Sequence, residues 1–101
     1  MSLRLRNSWH YVGNNWWEWA AFLDDEGSGE LSQVDYVEYV LHPSFPNPIR
    51  KVTDPQDGFI MKTSGWGVFE LKAFVYKKQG EKVKLSHMLE FKDTPTDGVS
   101  V

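Results

Sequence analysis

The chain has 101 residues, 41% of them apolar and 15% aromatic, with 11 Lys and Arg against 14 Asp and Glu and a formal charge of −3. That length suits one domain with one hydrophobic core, and the apolar content rules out a disordered chain. With no cysteine, a disulfide framework and any thiolate site are excluded, and the slight acidic excess gives no general attraction for nucleic acid.

From the N-terminus, Leu3, Arg4, Leu5 and Arg6 alternate as a short edge strand would, and Asn7-Ser8 marks a break before the extended-type residues Trp9-His10-Tyr11-Val12. Gly13-Asn14-Asn15 is a turn cluster. Residues 16–23 then read as a strand, with Trp17, Trp19, Ala21 and Leu23 toward a core and Trp16, Glu18, Ala20 and Phe22 half-buried behind them. The stretch 24–30 is a hydrated acidic turn; its carboxylates lack the spacing and flanking helices of a calcium loop. After Leu31 and Val34, residues 35–41 form a strand with Val37, Tyr39 and Leu41 inward.

That strand delivers Leu41-His42-Pro43-Ser44-Phe45-Pro46-Asn47-Pro48, where three prolines within six residues exclude a helix interior and a central strand. The result is a stiff surface loop presenting an imidazole, a hydroxyl and a phenyl ring at low entropic cost, either as a binding rim or as a crossover plugged into the core by Phe45. Residues 49–53 read as a short strand, 54–58 as a tight turn, and 59–62 as a return to extended chain. Thr63-Ser64-Gly65-Trp66-Gly67 interrupts it, because two glycines around an aromatic demand either unusual dihedrals or a close approach. Residues 68–76 alternate with Phe69, Leu71, Ala73 and Val75 inward, 77–81 turn, and 82–91 return with Val83, Leu85, His87 and Leu89 inward. Seven to eight short strands without a convincing helix predict an all-β, immunoglobulin-like antiparallel β-sandwich, with Trp19, Val37, Phe69, Leu71 and Leu89 in its core. In such a sandwich the Pro43 and Gly65 loops can share one end.

No nucleophile and base, carboxylate pair or metal cluster stands out, so neither catalysis nor a cofactor is expected. His10, His42 and His87 are too scattered to assert a zinc site. No apolar run approaches about 18 residues, and the opening Met1-Ser2-Leu3-Arg4-Leu5-Arg6 lacks a signal-peptide core, so no membrane partner is expected. Trp66, flanked by glycines, reads as a loop-tip aromatic suited to recognition.

The proline loop, Thr53-Asp54-Pro55, Ser64-Gly65-Trp66-Gly67-Val68-Phe69, Trp17 to Trp19 and Tyr36-Val37-Glu38-Tyr39-Val40 together resemble the YEATS domain family, and in detail its prokaryotic branch. The resemblance covers roughly residues 16–92, leaving 1–15 as an N-terminal strand and turn and 93–101 as a tail of the same single domain. It implies a sandwich that reads acylated lysine, acetyl or crotonyl, with the acyl amide stacked between Phe45 and Trp66. It further implies that Ser44 hydrogen-bonds the amide, that His42 supports Ser44, and that the backbone of Gly65 and Trp66 meets the ligand carbonyl. The aromatic that readers contribute from their first loop falls at Gly13-Asn14-Asn15, leaving Trp9, Tyr11 or Trp16 to take its place. The expected partner is an acylated-lysine peptide or protein, with no direct nucleic-acid binding, in the cytoplasm of a prokaryote or otherwise inside the cell. The alternative is a structural or self-associating interaction module that binds no acyl-lysine.

Overall fold

The computed structural model describes residues 3–14, 16–65 and 67–89 and the backbone of 98–99. Its strands are β1 (Arg4–Gly13), β2 (Trp16–Asp24), β3 (Val34–Val40), β4 (Ile49–Val52), β5 (Met61–Gly65), β6 (Glu70–Lys77), β7 (Lys82–Met88) and β8 (Gly98–Val99). They form two four-stranded sheets, ordered β5-β2-β1-β8 and β4-β3-β6-β7. Every pairing is antiparallel. This is the expected immunoglobulin-like sandwich, and the period-two alternation of its strands accounts for the core between the sheets. Val37, Tyr39, Leu71, Ala73 and Val75 are fully buried from one sheet, against Trp19, Ala21 and Leu23 from the other. Trp9, opposite Trp19 in register, joins them.

Of the expected core residues, Trp19, Val37, Leu71 and Leu89 are buried, while Phe69 is half-buried at the core's edge. Trp17 is half-buried as well, and Ala20, expected at the half-buried face, is buried. β1 differs more: it is one continuous strand lying between β2 and β8, without a break at Asn7-Ser8. Asn7 is fully buried, and its Oδ1 lies 2.8 Å from His87 Nε2 across the sandwich, so this polar residue ties two sheets together where a turn was expected. β5 runs straight through Thr63, Ser64 and Gly65, and β6 begins at Glu70, two residues later than the alternation suggested.

Short irregular segments join the strands. In the acidic turn, Asp24 accepts from the Glu26 N–H and pairs with Arg6 at 2.7 Å, and these two contacts, in that order, hold its carboxyl below the usual carboxylate range. Asp25 accepts from the N–H groups of Gly27 and Leu31, so the carboxylates here close the turn. A 3₁₀ turn, Glu30–Gln33, follows. After Pro55, three successive residues take positive φ: Asp57 at 53°, Gly58 at 73° and Phe59 at 58°. Glycine is required at 58, because a Cβ there would collide with the Leu23 carbonyl oxygen. Among the described residues, no helix is long and apolar enough to cross a membrane.

Candidate functional site

The proline loop leaves the end of β3 and is closed at its base by Leu41 N–H donating to the Pro48 carbonyl at 2.7 Å. Within it, Phe45 N–H donates to the His42 carbonyl at 3.0 Å, a β-turn with Pro43 at the position where its fixed φ is favoured. Asn47 supplies a left-handed residue, φ 51°, tolerable for its short polar side chain. Arg50 of β4 reaches back, donating from Nε to the Asn47 carbonyl at 3.1 Å and from Nη2 to the Pro46 carbonyl at 3.0 Å. Prolines, turn and guanidinium therefore hold one loop conformation.

That conformation sets the polar chemistry. Ser44 N–H donates to His42 Nδ1 at 3.2 Å, so Nδ1 carries a lone pair and the ring proton sits on Nε2. Ser44 Oγ lies 2.9 Å from the same Nδ1, so the hydroxyl donates to it and its oxygen lone pairs are left to accept from elsewhere. Phe45 turns inward: its ring meets Trp19 edge-on, centroids 6.3 Å apart, and Phe69 at 5.5 Å. Phe69 in turn meets Trp19 at 5.9 Å and His42 at 6.1 Å, making an aromatic floor continuous with the core.

Gly65 lies at the end of β5, opposite Trp17 in register. Neither it nor Gly67 has a positive φ; a Cβ at 65 would stand 3.4 Å from Phe45 Cζ and 3.7 Å from Trp19 Nε1. Those distances are ordinary van der Waals contact, so neither a left-handed backbone nor a collision requires glycine at 65. The loops after β3 and β5 do share one end, and between them lies a cleft of about 460 Å³, within the size range of ligand pockets. His42, Ser44, Phe45 and Gly65 all line it. Trp66 lies outside the described residues.

The other lining residues include Trp16, one of the three aromatics considered for the first loop, and several not assigned to a site from the sequence. Trp16, 41% exposed, stands at the rim, whereas Trp9 is buried in the core and Tyr11 packs on Trp17 at 5.0 Å. Of the three candidates for a first-loop aromatic, only Trp16 reaches the cleft; its outward phase at the start of β2 was the available signal. Thr63 and Ser64 add hydroxyls, and Phe69, assigned to the core, serves both core and cleft. Arg50 is the single formally charged group among the described lining residues. A hydrolytic triad would need a carboxylate to orient His42, and none is among the described lining residues.

An immunoglobulin-like sandwich with an aromatic-floored cleft between two loops at one end is the class of domain these features define. The prokaryotic YEATS domain family matches residues 17–90, and the chain belongs to it. Similar proteins include transcription initiation factor TFIID subunit 14 of Schizosaccharomyces pombe, 40% identical over 61% of this chain and 25% of that protein. The Protein AF-9 homolog of Kluyveromyces lactis is 32% identical over 57% of this chain and 26% of its own length. The chain thus spans about a quarter of the curated relatives it matches. Among solved structures, the Yaf9 YEATS domain bound to H3K27ac superposes with a TM-score of 0.72 at 20% identity, covering 97% of this chain and 80% of that one. The Yaf9 YEATS domain recognizing an H3K122suc peptide gives 0.69 at 19%, over 97% and 79%. At these identities the likeness is one of fold.

Proposed function

We propose that this chain is a non-catalytic reader of acylated lysine, taking the acyl amide into the cleft between the loops after β3 and β5. The observation that carries the reading is the chemistry of the cleft: an aromatic floor, a Ser44 hydroxyl oxygen free to accept, and no carboxylate among the described lining residues. A free lysine ammonium would lose strong hydration there and meet the Arg50 guanidinium instead of an anion; acylation removes that charge and leaves an amide. Ser44 Oγ accepts the amide N–H, and His42 holds the hydroxyl in place. Phe45 supplies one stacking ring; Trp66, between Gly65 and Gly67 in the chain, supplies the second, and the backbone at 65 and 66 donates to the acyl carbonyl. The family membership and the acetylated and succinylated histone ligands of the Yaf9 domain support the same reading.

Conjugation rewards stacking, at about 0.5–1.5 kcal/mol per aromatic contact, so crotonyl is favoured over acetyl. Affinity should be modest, about tens of micromolar, equivalent to roughly 6 kcal/mol. The test is calorimetric titration with crotonylated, acetylated and unmodified lysine peptides of one sequence. Phe45→Ala and Trp66→Ala should each abolish most of the affinity, and Ser44→Ala should cost about 1–3 kcal/mol by leaving the ligand amide unsatisfied. Equal affinity for modified and unmodified peptides, or no binding by folded protein at about millimolar peptide, would overturn the reading.

A further inference from the structure

The outward face of the sheet β4-β3-β6-β7 carries a feature that the cleft does not use. The alternation that sends Tyr39, Leu71 and Val75 inward sends Tyr36 of β3 and Phe74 and Tyr76 of β6 outward. Tyr36 and Tyr76, opposite each other in register, stack with centroids 4.4 Å apart and planes 15° from parallel. On the β4 side, Lys51 Nζ lies 4.4 Å from the Tyr36 centroid; on the β7 side, Lys82 Nζ lies 5.4 Å from the Tyr76 centroid and 4.6 Å from that of Phe74. The four side chains make a row across four strands, ammonium at each end and rings between. Cation–π contact fixes where these lysine heads sit, so less side-chain entropy remains to be lost on binding an anion.

Lys72 and Lys84 share the face, giving four lysines against Glu38 and Glu70 in a chain whose formal charge is −3. Glu38 is also partly spoken for: it accepts from the Tyr76 hydroxyl, a bond that raises the phenol above its ordinary value. Toward the loop end of the same face stand two exposed apolar side chains, Ile49 at 61% and Met88 at 58% exposure. The face is therefore basic at one end and apolar at the other.

We propose that this face docks an acidic segment of a protein partner, its carboxylates on Lys51, Lys82 and Lys84 and its apolar side chains on Ile49 and Met88. A single-stranded nucleic acid fits less well, because base stacking needs a free ring face, and the Tyr36–Tyr76 pair is covered by its own stack and by the flanking lysines. Charge complementarity is local, set against the acidic balance of the whole chain, so it selects a short segment over a long polyanion.

The test uses the full chain and three fluorescein-labelled probes read by anisotropy: a peptide of alternating aspartate and leucine, the same peptide with lysine in place of aspartate, and oligo-deoxythymidine. Saturable binding of the acidic peptide is expected, weakening as salt rises, with no binding of the lysine peptide. Lys82→Glu combined with Lys84→Glu should weaken it by about tenfold or more, and Ile49→Ser by several-fold, with unchanged melting temperatures. No saturation at about millimolar protein, unchanged affinity in the lysine double variant, or tighter binding of the oligonucleotide would each overturn the proposal. Because none of the probes carries an acyl group, the result stands apart from the reading of the cleft.

Discussion

At the scale of single residues, Tyr39 joins the core to the most contorted part of the backbone. Its hydroxyl donates at 2.7 Å to the carbonyl of Phe59, a buried residue held at φ 58° directly after Asp57 and Gly58. Burial pushes the phenol well above its ordinary value. Tyr39→Phe keeps the ring and orphans that carbonyl, which should cost about 1–3 kcal/mol. Urea unfolding would measure it, and a change below about 0.5 kcal/mol would mean that water satisfies Phe59 instead. None of this partnership was legible in the sequence, where 54–58 read only as a turn and Tyr39 only as inward. A phenol and a carbonyl 20 positions apart carry no local signature of their meeting. Asn7 misled for a related reason: an asparagine before a serine is a turn signal until tertiary structure supplies it a buried partner in His87.

At the scale of elements, the hairpin of β6 and β7 is fastened to the 3₁₀ turn by Lys77. This lysine is 8% exposed, with Nζ 2.6 Å from Glu30 Oε2 and 3.5 Å from Glu81 Oε1. The hydrogen bond it donates to the Glu30 carboxylate is the main reason its ammonium holds its proton above the ordinary lysine value. A raised folded value means that the contribution to stability is complete below the unfolded lysine value and disappears as pH climbs through the folded one. Thermal melts carried from about pH 9.5 to about pH 12, across the ordinary lysine value of about 10.4, should therefore show an alkaline loss of stability that Glu30→Gln blunts, while lowering the melting temperature at about pH 7. Identical pH profiles for variant and parent would contradict the pairing. The strands themselves were readable because one apolar face repeats every second residue in β2, β3, β6 and β7. β5 was not, since Thr63, Ser64 and Gly65 look like loop residues. Phe45 packs beside Gly65 from another element, a contact that periodicity does not register.

At the scale of the whole molecule, the sandwich brings to one end two loops separated in sequence by β4, the turn after it and β5, and the proline loop is stiff before any ligand arrives. His42, Ser44, Phe45 and Gly65 were legible as a group because proline, glycine and aromatic residues leave a local mark. Trp16 was legible only as one of three candidate aromatics, and Arg50 and Phe69 were not legible as cleft residues, because the pattern of β4 and of the segment before β6 says nothing of their neighbours. The most direct test of the central claim, that this cleft receives an acyl-lysine side chain, is residue-resolved amide NMR during titration with a crotonyllysine peptide. The account predicts saturable shifts concentrated at Ser44, Phe45, Gly65 and Gly67, none of them produced by the unmodified peptide. Shifts confined to other surfaces, or the same shifts with unmodified lysine, would contradict it.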